Sequence, residues 1–228
     1  VFVNSQSTDG STIEQNHIWN NDGVGVNLSA GTMRCKHNLI ERNRLSGMHI
    51  GFWNGPVEIV ENAVSSQDDQ GAVDDPGILV QGIECAAPLT ITGNRVHRCT
   101  VGIDLQLEYS SADVNVTKNF IDDNTEVGLR LAANADTSGT CYVAGNRLAG
   151  NATNFEAAGS EQLDVWVASN TDDVHRGQHL LKLRTLGFLR RLEKLDPETG
   201  EISLELRRLA DRPDGSPGAG SLVPSGRA

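Results

Sequence analysis

The chain has 228 residues, 38% of them hydrophobic, and its 30 acidic and 19 basic side chains leave a net charge of −11. Residues 1–170 carry 21 acidic and 9 basic side chains, whereas residues 171–228 carry 9 and 10. So acidic a body excludes non-specific nucleic-acid binding and repels acidic polysaccharides unless a cation intervenes, and the lack of a long apolar run excludes a membrane-spanning helix.

Taken in chain order, Val1-Phe2-Val3-Asn4 reads as the end of a short strand. The chain is therefore expected to start inside a repeat, with an N-terminal cap missing; no signal peptide is recognisable within it. From there one template recurs around Asn16, Asn38, Asn62, Asn94, Asn119, Asn146 and Asn170. Apolar residues stand five and three positions before each Asn and two after it, and most copies add a Gly-apolar-x-apolar tail. Asn16–Ile18–Asn21–Gly25–Val26–Leu28, Asn38–Ile40–Asn43–Gly47–Met48–Ile50 and Asn119–Ile121–Asn124–Gly128–Leu129–Leu131 share it at the same spacing. A period of roughly 22–32 residues with alternating apolar positions predicts an all-β solenoid, a parallel β-helix of about seven coils over 1–170, three short strands to a coil. The Asn column is expected to stack as an internal amide ladder and to supply the left-handed backbone of a sharp bend. A second column, Asn21, Asn43, Asn124 and Asn151, is similar, with Gln67 and Cys99 breaking it. Outward pairs Glu14 with Lys36 and Arg34 with Glu58 read as charge ladders. Cys35 and Cys141 fall on interior columns and Cys85 in a loop, without metal spacing or a disulfide framework.

The regular coils are interrupted at 67–76, where Asp68, Asp69, Asp74 and Asp75 supply hard oxygen ligands suited to Ca²⁺, or simply a solvated loop. After Asn170 the period changes. Leu181, Phe188, Leu192 and Leu195 predict a helix over 178–195, and Ile202, Leu204 and Leu206 an amphipathic strand. Residues 171–210 are thus expected to cap the last coil, or to offer a basic helix to a partner, and 211–228 to form a flexible tail.

The repeat resembles the right-handed parallel β-helix proteins of the pectate-lyase-like superfamily. That resemblance implies a secreted, periplasmic or cell-surface protein acting on polysaccharide, with its chemistry on the outward face of the strand after the second bend. Here that strand is the Gly-apolar-x-apolar tail, whose outward column runs Asn27, His49, Leu79, Asp104, Arg130, with Gln81 and Gln106 two residues on. A lyase or C5-epimerase on a uronate polymer needs a base, for which His49 or Arg130 stands, and a cation for the enolate. Asp104 is the one carboxylate of the column, which disfavours a two-carboxylate hydrolase; beside Arg130 it also reads as a surface ion pair. Asn27, Gln81, Gln106 and Trp53 are the expected sugar contacts, Trp53 by stacking. The alternative is a non-catalytic β-helix for binding, adhesion or structure.

Overall fold

A computed structural model describes residues 2–4, 10–29, 31–65, 76–159, 162–168 and 170–172, with three two-residue strands, Leu189–Arg190, Glu201–Ile202 and Arg207–Arg208. Alternation of apolar and polar residues makes every short run a strand with one buried face. These strands close into about six turns of parallel β-solenoid. Three sheets run its length. Sheet 1 holds the tails Phe2–Asn4, Val26–Ser29, Met48–Ile50, Ile78–Ile83, Val101–Glu108, Val127–Ala133 and Thr153–Ala158. Sheet 2 holds the strands before each ladder Asn, from Ser11–Glu14 to Leu163–Ala168, and sheet 3 those after it, from His17–Trp19 to Asn170–Asp172. Each strand pairs in parallel with its equivalent one coil on, so Ile13, Cys35, Ile59, Ile91, Val116, Val143 and Val167 stack as one buried column. The predicted helix at 178–195 lies almost wholly outside the described residues; Glu201–Ile202 pairs antiparallel with Asn170–Thr171.

The amide ladder is continuous. Nδ2 of Asn16, Asn38, Asn62, Asn94, Asn119 and Asn146 each donates to Oδ1 of the Asn one coil on, at 2.9–3.1 Å. The same oxygen accepts the preceding Asn backbone N–H, as at Asn94 Oδ1 from Asn62 at 2.9 Å. The same Nδ2 also reaches back to a carbonyl, Ile59 O at 2.9 Å for Asn94. One side chain therefore satisfies buried groups of three coils, each of which would cost about 1–3 kcal/mol unpaired.

The bend itself is made elsewhere than expected. Left-handed φ falls on the residue before the ladder Asn, at Gln15 (57°), His37 (54°), Glu61 (52°), Gly93 (66°), Lys118 (55°) and Gly145 (62°). Asn20, Arg42, Arg98, Asp123 and Gly150 repeat this one residue ahead of the second column. Asn is selected for its amide rather than its backbone freedom. The left-handed residue stays outside, where any side chain that tolerates about 1–2 kcal/mol of strain can stand. The tail glycine has its own reason. A Cβ on Gly25 would stand 2.6 Å from Asn43 Nδ2, and one on Gly128 2.7 Å from Asn151 Nδ2. The second ladder fits only where this residue has no side chain.

Trp53 corrects a sequence expectation. It is fully buried, its Nε1 donates to Ala87 O at 2.7 Å, and its ring lies against Gly82, where a Cβ would come within 2.7 Å. The ring fills the widened coil that Gly82–Ala87 creates and is not available to a sugar. Cys85, expected in a loop, packs with it: burial raises its thiol, and Trp53 N–H donates to its sulfur at 3.4 Å. The charge ladders are present, Lys36 to Glu14 at 3.0 Å and Arg34 to Glu58 at 2.6 Å.

Candidate functional site: the outward face of sheet 1

The tail strands lengthen toward the middle of the solenoid, from three residues in Met48–Ile50 to eight in Val101–Glu108. Their parallel register puts Asn27 opposite His49, Leu79 opposite His49 and Asp104, and Arg130 between Asp104 and Glu156. Gln81 and Gln106 stand side by side in the next outward column.

These side chains join into one row along the solenoid axis. The His49 Nε2 atom lies 2.9 Å from Gln81 Oε1. Gln81 Nε2 donates to Gln106 Oε1 at 3.3 Å, and Gln106 Nε2 donates to Asp104 Oδ2 at 3.0 Å. Arg130 then sits between three carboxylates, with Nη1 3.6 Å from Asp104, Nε 3.6 Å from Glu156 and Nη2 3.7 Å from Glu126. His49 and Asp104 are two coils apart, too far to touch; the two glutamine amides bridge them.

The expected surface pair of Asp104 and Arg130 is not a surface pair on the carboxylate side. Asp104 is 2% exposed although its strand position faces outward, while the Arg130 side chain is 32% exposed. Burial pushes the Asp104 carboxyl above the ordinary carboxylate value, opposed by the Gln106 hydrogen bond and the Arg130 charge and assisted by Glu156. Its Oδ1 is buried without a hydrogen-bond donor, and so is Oδ1 of Asn27 at the other end of the row. Buried acceptors left unmatched are rare in native proteins, and each costs stability.

This arrangement assigns roles unevenly. A guanidinium has donors and no acceptor, and Arg130 spends its donors on three carboxylates, so it serves as a cationic clamp. Asp104 can hold a proton or accept a hydrogen bond. Glu156, absent from the expected column, completes the clamp. Its coil carries Asn154 in place of the tail glycine, so the Gly-apolar-x-apolar signature fails there, although Phe155-Glu156-Ala157 keeps the alternation. Beside the row, where the strands end, Gln106, Glu108, Ala132, Ala158, Asn134 and Gly159 border a shallow cavity of about 350 Å³. Of the exposed aromatics, Trp19 lies on sheet 3 stacked on His17 and Trp166 on sheet 2 opposite Tyr142, whereas Phe52 and Tyr109 follow the ends of sheet 1 strands. Asp68, Asp69, Asp74 and Asp75 lie outside the described residues.

Residues 33–176 match a family described as periplasmic copper-binding protein (NosD). The chain belongs to the NosD family. Comparison with curated proteins and with solved structures gives no match. Family and geometry together establish a right-handed parallel β-helix.

The family description names copper, and the described residues do not fit it. Copper sites are built from imidazole and sulfur ligands held close together. His17 pairs with Glu41, His37 with Glu61 and His49 with Gln81, each in a different place. Met33, Met48 and all four cysteines are buried in the interior, and burial pushes the Cys35 and Cys141 thiols up to about 12. Among the described residues no three His, Cys, Asp or Glu side chains gather into a metal site. No helix among them is long and apolar enough to cross a membrane.

Proposed function

We propose that this NosD-family β-helix is a carbohydrate-binding domain working outside the cytoplasm, in keeping with the periplasmic setting in the family description, and that the outward face of sheet 1 takes the sugar chain. The connected row from His49 through Gln81, Gln106, Asp104 and Arg130 to Glu156 is the observation that carries this reading. A polymer lying along the axis meets a new polar group at each coil step of about 4.8 Å. Amides, an imidazole and paired charges can exchange their mutual hydrogen bonds for sugar hydroxyls at small net cost. Asn27 and the adjoining cavity extend the same track at its two ends. An acidic body with one clamped cation on this face favours neutral sugars over uronates.

The test is affinity electrophoresis through gels holding a panel of neutral and acidic polysaccharides. At least one should retard the protein, and the double variant Gln81→Ala/Gln106→Ala should run free. No retardation in any gel would refute the reading.

A second reading, lyase or C5-epimerase on a uronate polymer, is favoured by one observation only: a buried carboxyl with a raised proton affinity beside a guanidinium. Asp104 would then move the proton and Arg130 would hold the uronate carboxylate. Ultraviolet absorbance detects the unsaturated lyase product and NMR of the polymer detects epimerisation, both with and without Ca²⁺. Neither signal from any uronate would leave the binding reading alone.

A further inference from the structure

The outward face of sheet 1 divides at Gln106. The charged arm, Asp104, Arg130 and Glu156, keeps to the first outward column. The second outward column runs from Gln81 and Gln106 into Ala132 and Ala158, all in register. Two glutamines followed by two alanines leave a step in the surface. That step is the cavity of about 350 Å³ beside the row, floored by Ala132 and Ala158 and bordered by Gln106, Glu108, Asn134 and Gly159. Its size is at the lower end of the range for small-molecule sites. Every residue lining it falls in the described stretch 76–159.

The polar groups of this basin are set for a ligand in a way the fold does not require. Asn134 Oδ1 accepts the Tyr109 backbone N–H at 3.1 Å and lies 2.8 Å from the Thr137 hydroxyl. The Tyr109 bond fixes which end of the amide is oxygen, and neither proton of Nδ2 has a partner among the described residues. One coil earlier, the Glu108 carboxylate is exposed and has no ion-pair partner among the described residues. Glu108 and Asn134 follow the paired residues Leu107 and Ala133, so their backbones stand one coil step of about 4.8 Å apart. Tyr109, the residue after Glu108, is 57% exposed on a left-handed backbone with φ of 52°. Glu84 fills the equivalent corner one coil earlier with φ of 55°, so this corner does not call for an aromatic.

An oriented donor, a charged acceptor and an apolar floor at this spacing match two adjacent hydroxyls on a ring with an apolar face. Each hydroxyl both donates and accepts. One donates to Glu108 and its neighbour accepts from Asn134, while the carbon face of the ring covers the alanines and can meet Tyr109. A sugar acid would instead bring its charge against Glu108, with no cation among the lining residues.

We infer that this basin is the end subsite of the saccharide track and selects neutral rings with a free vicinal diol, Asn134 holding the diol and Glu108 rejecting acidic sugars. The inference rests on the sheet 1 binding reading and adds to it the residues that set specificity.

Affinity electrophoresis of the whole chain through neutral and uronate polysaccharides tests it. The wild type should be retarded by a neutral polymer more than by any uronate. Asn134→Asp keeps an oxygen for the Tyr109 N–H and removes only the donor; it should weaken that retardation about fivefold, the worth of one hydrogen bond. Glu108→Gln keeps an acceptor and removes the charge, so the preference for neutral over uronate polymers should shrink about fivefold. Ala158→Leu fills the floor from an exposed position and should weaken neutral binding as Asn134→Asp does. Circular dichroism checks that each variant keeps the solenoid. If all three variants are retarded like the wild type while Gln81→Ala/Gln106→Ala runs free, the subsite is overturned and the sheet 1 reading stands. Stronger retardation of the wild type by uronates than by neutral polymers would also overturn it. A wild type that no gel retards would overturn both.

Discussion

The amide ladder inside the solenoid and the polar row on sheet 1 are both hydrogen-bonded columns one coil apart in pitch, yet they obey opposite rules. Inside, the same residue returns in seven coils because a single shape satisfies donors and acceptors of the coils above and below. Outside, the column changes at every step, from Asn27 to His49, Leu79, Asp104, Arg130 and Glu156, and its connections range from 2.9 to 3.6 Å and mostly join unlike groups. Removal of the inner column would cost the fold; variation of the outer one leaves the fold alone and changes what the surface can hold. The lesson is that repetition marks architecture here, and departure from repetition marks chemistry.

The strongest way to break this contrast is Asn94→Ala. It strips partners from Asn62 and Ile59 O in the coil before and from Asn119 Oδ1 in the coil after. At about 1–3 kcal/mol for each orphaned buried group, the loss in denaturant unfolding should reach about 3–6 kcal/mol. A loss under 1 kcal/mol would mean the ladder is ornamental. The corner residues come next. Gly145→Ala meets open space, its Cβ touching only Lys118 at 3.9 Å, so the left-handed φ of 62° is tested alone. It should destabilise by about 1 kcal/mol, and Lys118→Gly should not destabilise at all. The same unfolding curves check both.

Asp104 gives a pH-dependent contrast. Burial raises its folded proton affinity above the ordinary carboxylate value, so its contribution is fully stabilising below the unfolded value. That contribution is lost as pH rises through the folded value. Asp104→Asn cannot ionise. Its stability relative to wild type should therefore improve from pH 4 to pH 7, measured by unfolding across that range. A constant difference at every pH would show that Asp104 keeps an ordinary carboxylate. The smallest expected effect is on the outer row itself: Gln81→Ala, on the exposed face, should change stability by less than about 0.5 kcal/mol while weakening saccharide binding.

Much of the solenoid was legible in the sequence because its columns are enforced by burial: Cys35 and Ile59 sit in register as the spacing requires. What was misread followed from causes the one-dimensional pattern hides. The bend was assigned to Asn because Asn tolerates a left-handed backbone, but Gly93 and Gly145, each one residue earlier, already marked the true position. Trp53 looked like a surface aromatic because it follows an outward strand; its partner is the small residue Gly82, in the next coil and uninformative until the coils stack. Glu156 was passed over because Asn154 replaced the expected glycine. The bridge from His49 to Asp104 through two glutamines was only half legible, since Gln81 and Gln106 share a column but the bonds at its two ends, to His49 and to Asp104, cross between columns.

Side-chain amide NMR of the ¹⁵N-labelled protein, titrated with oligosaccharides of the polymer that retards it, tests the central claim most directly. The account predicts that the Asn27, Gln81 and Gln106 amide signals move with ligand while those of Asn62, Asn94 and Asn119 stay fixed. Movement confined to other faces of the solenoid, or no movement with any oligosaccharide, would contradict it.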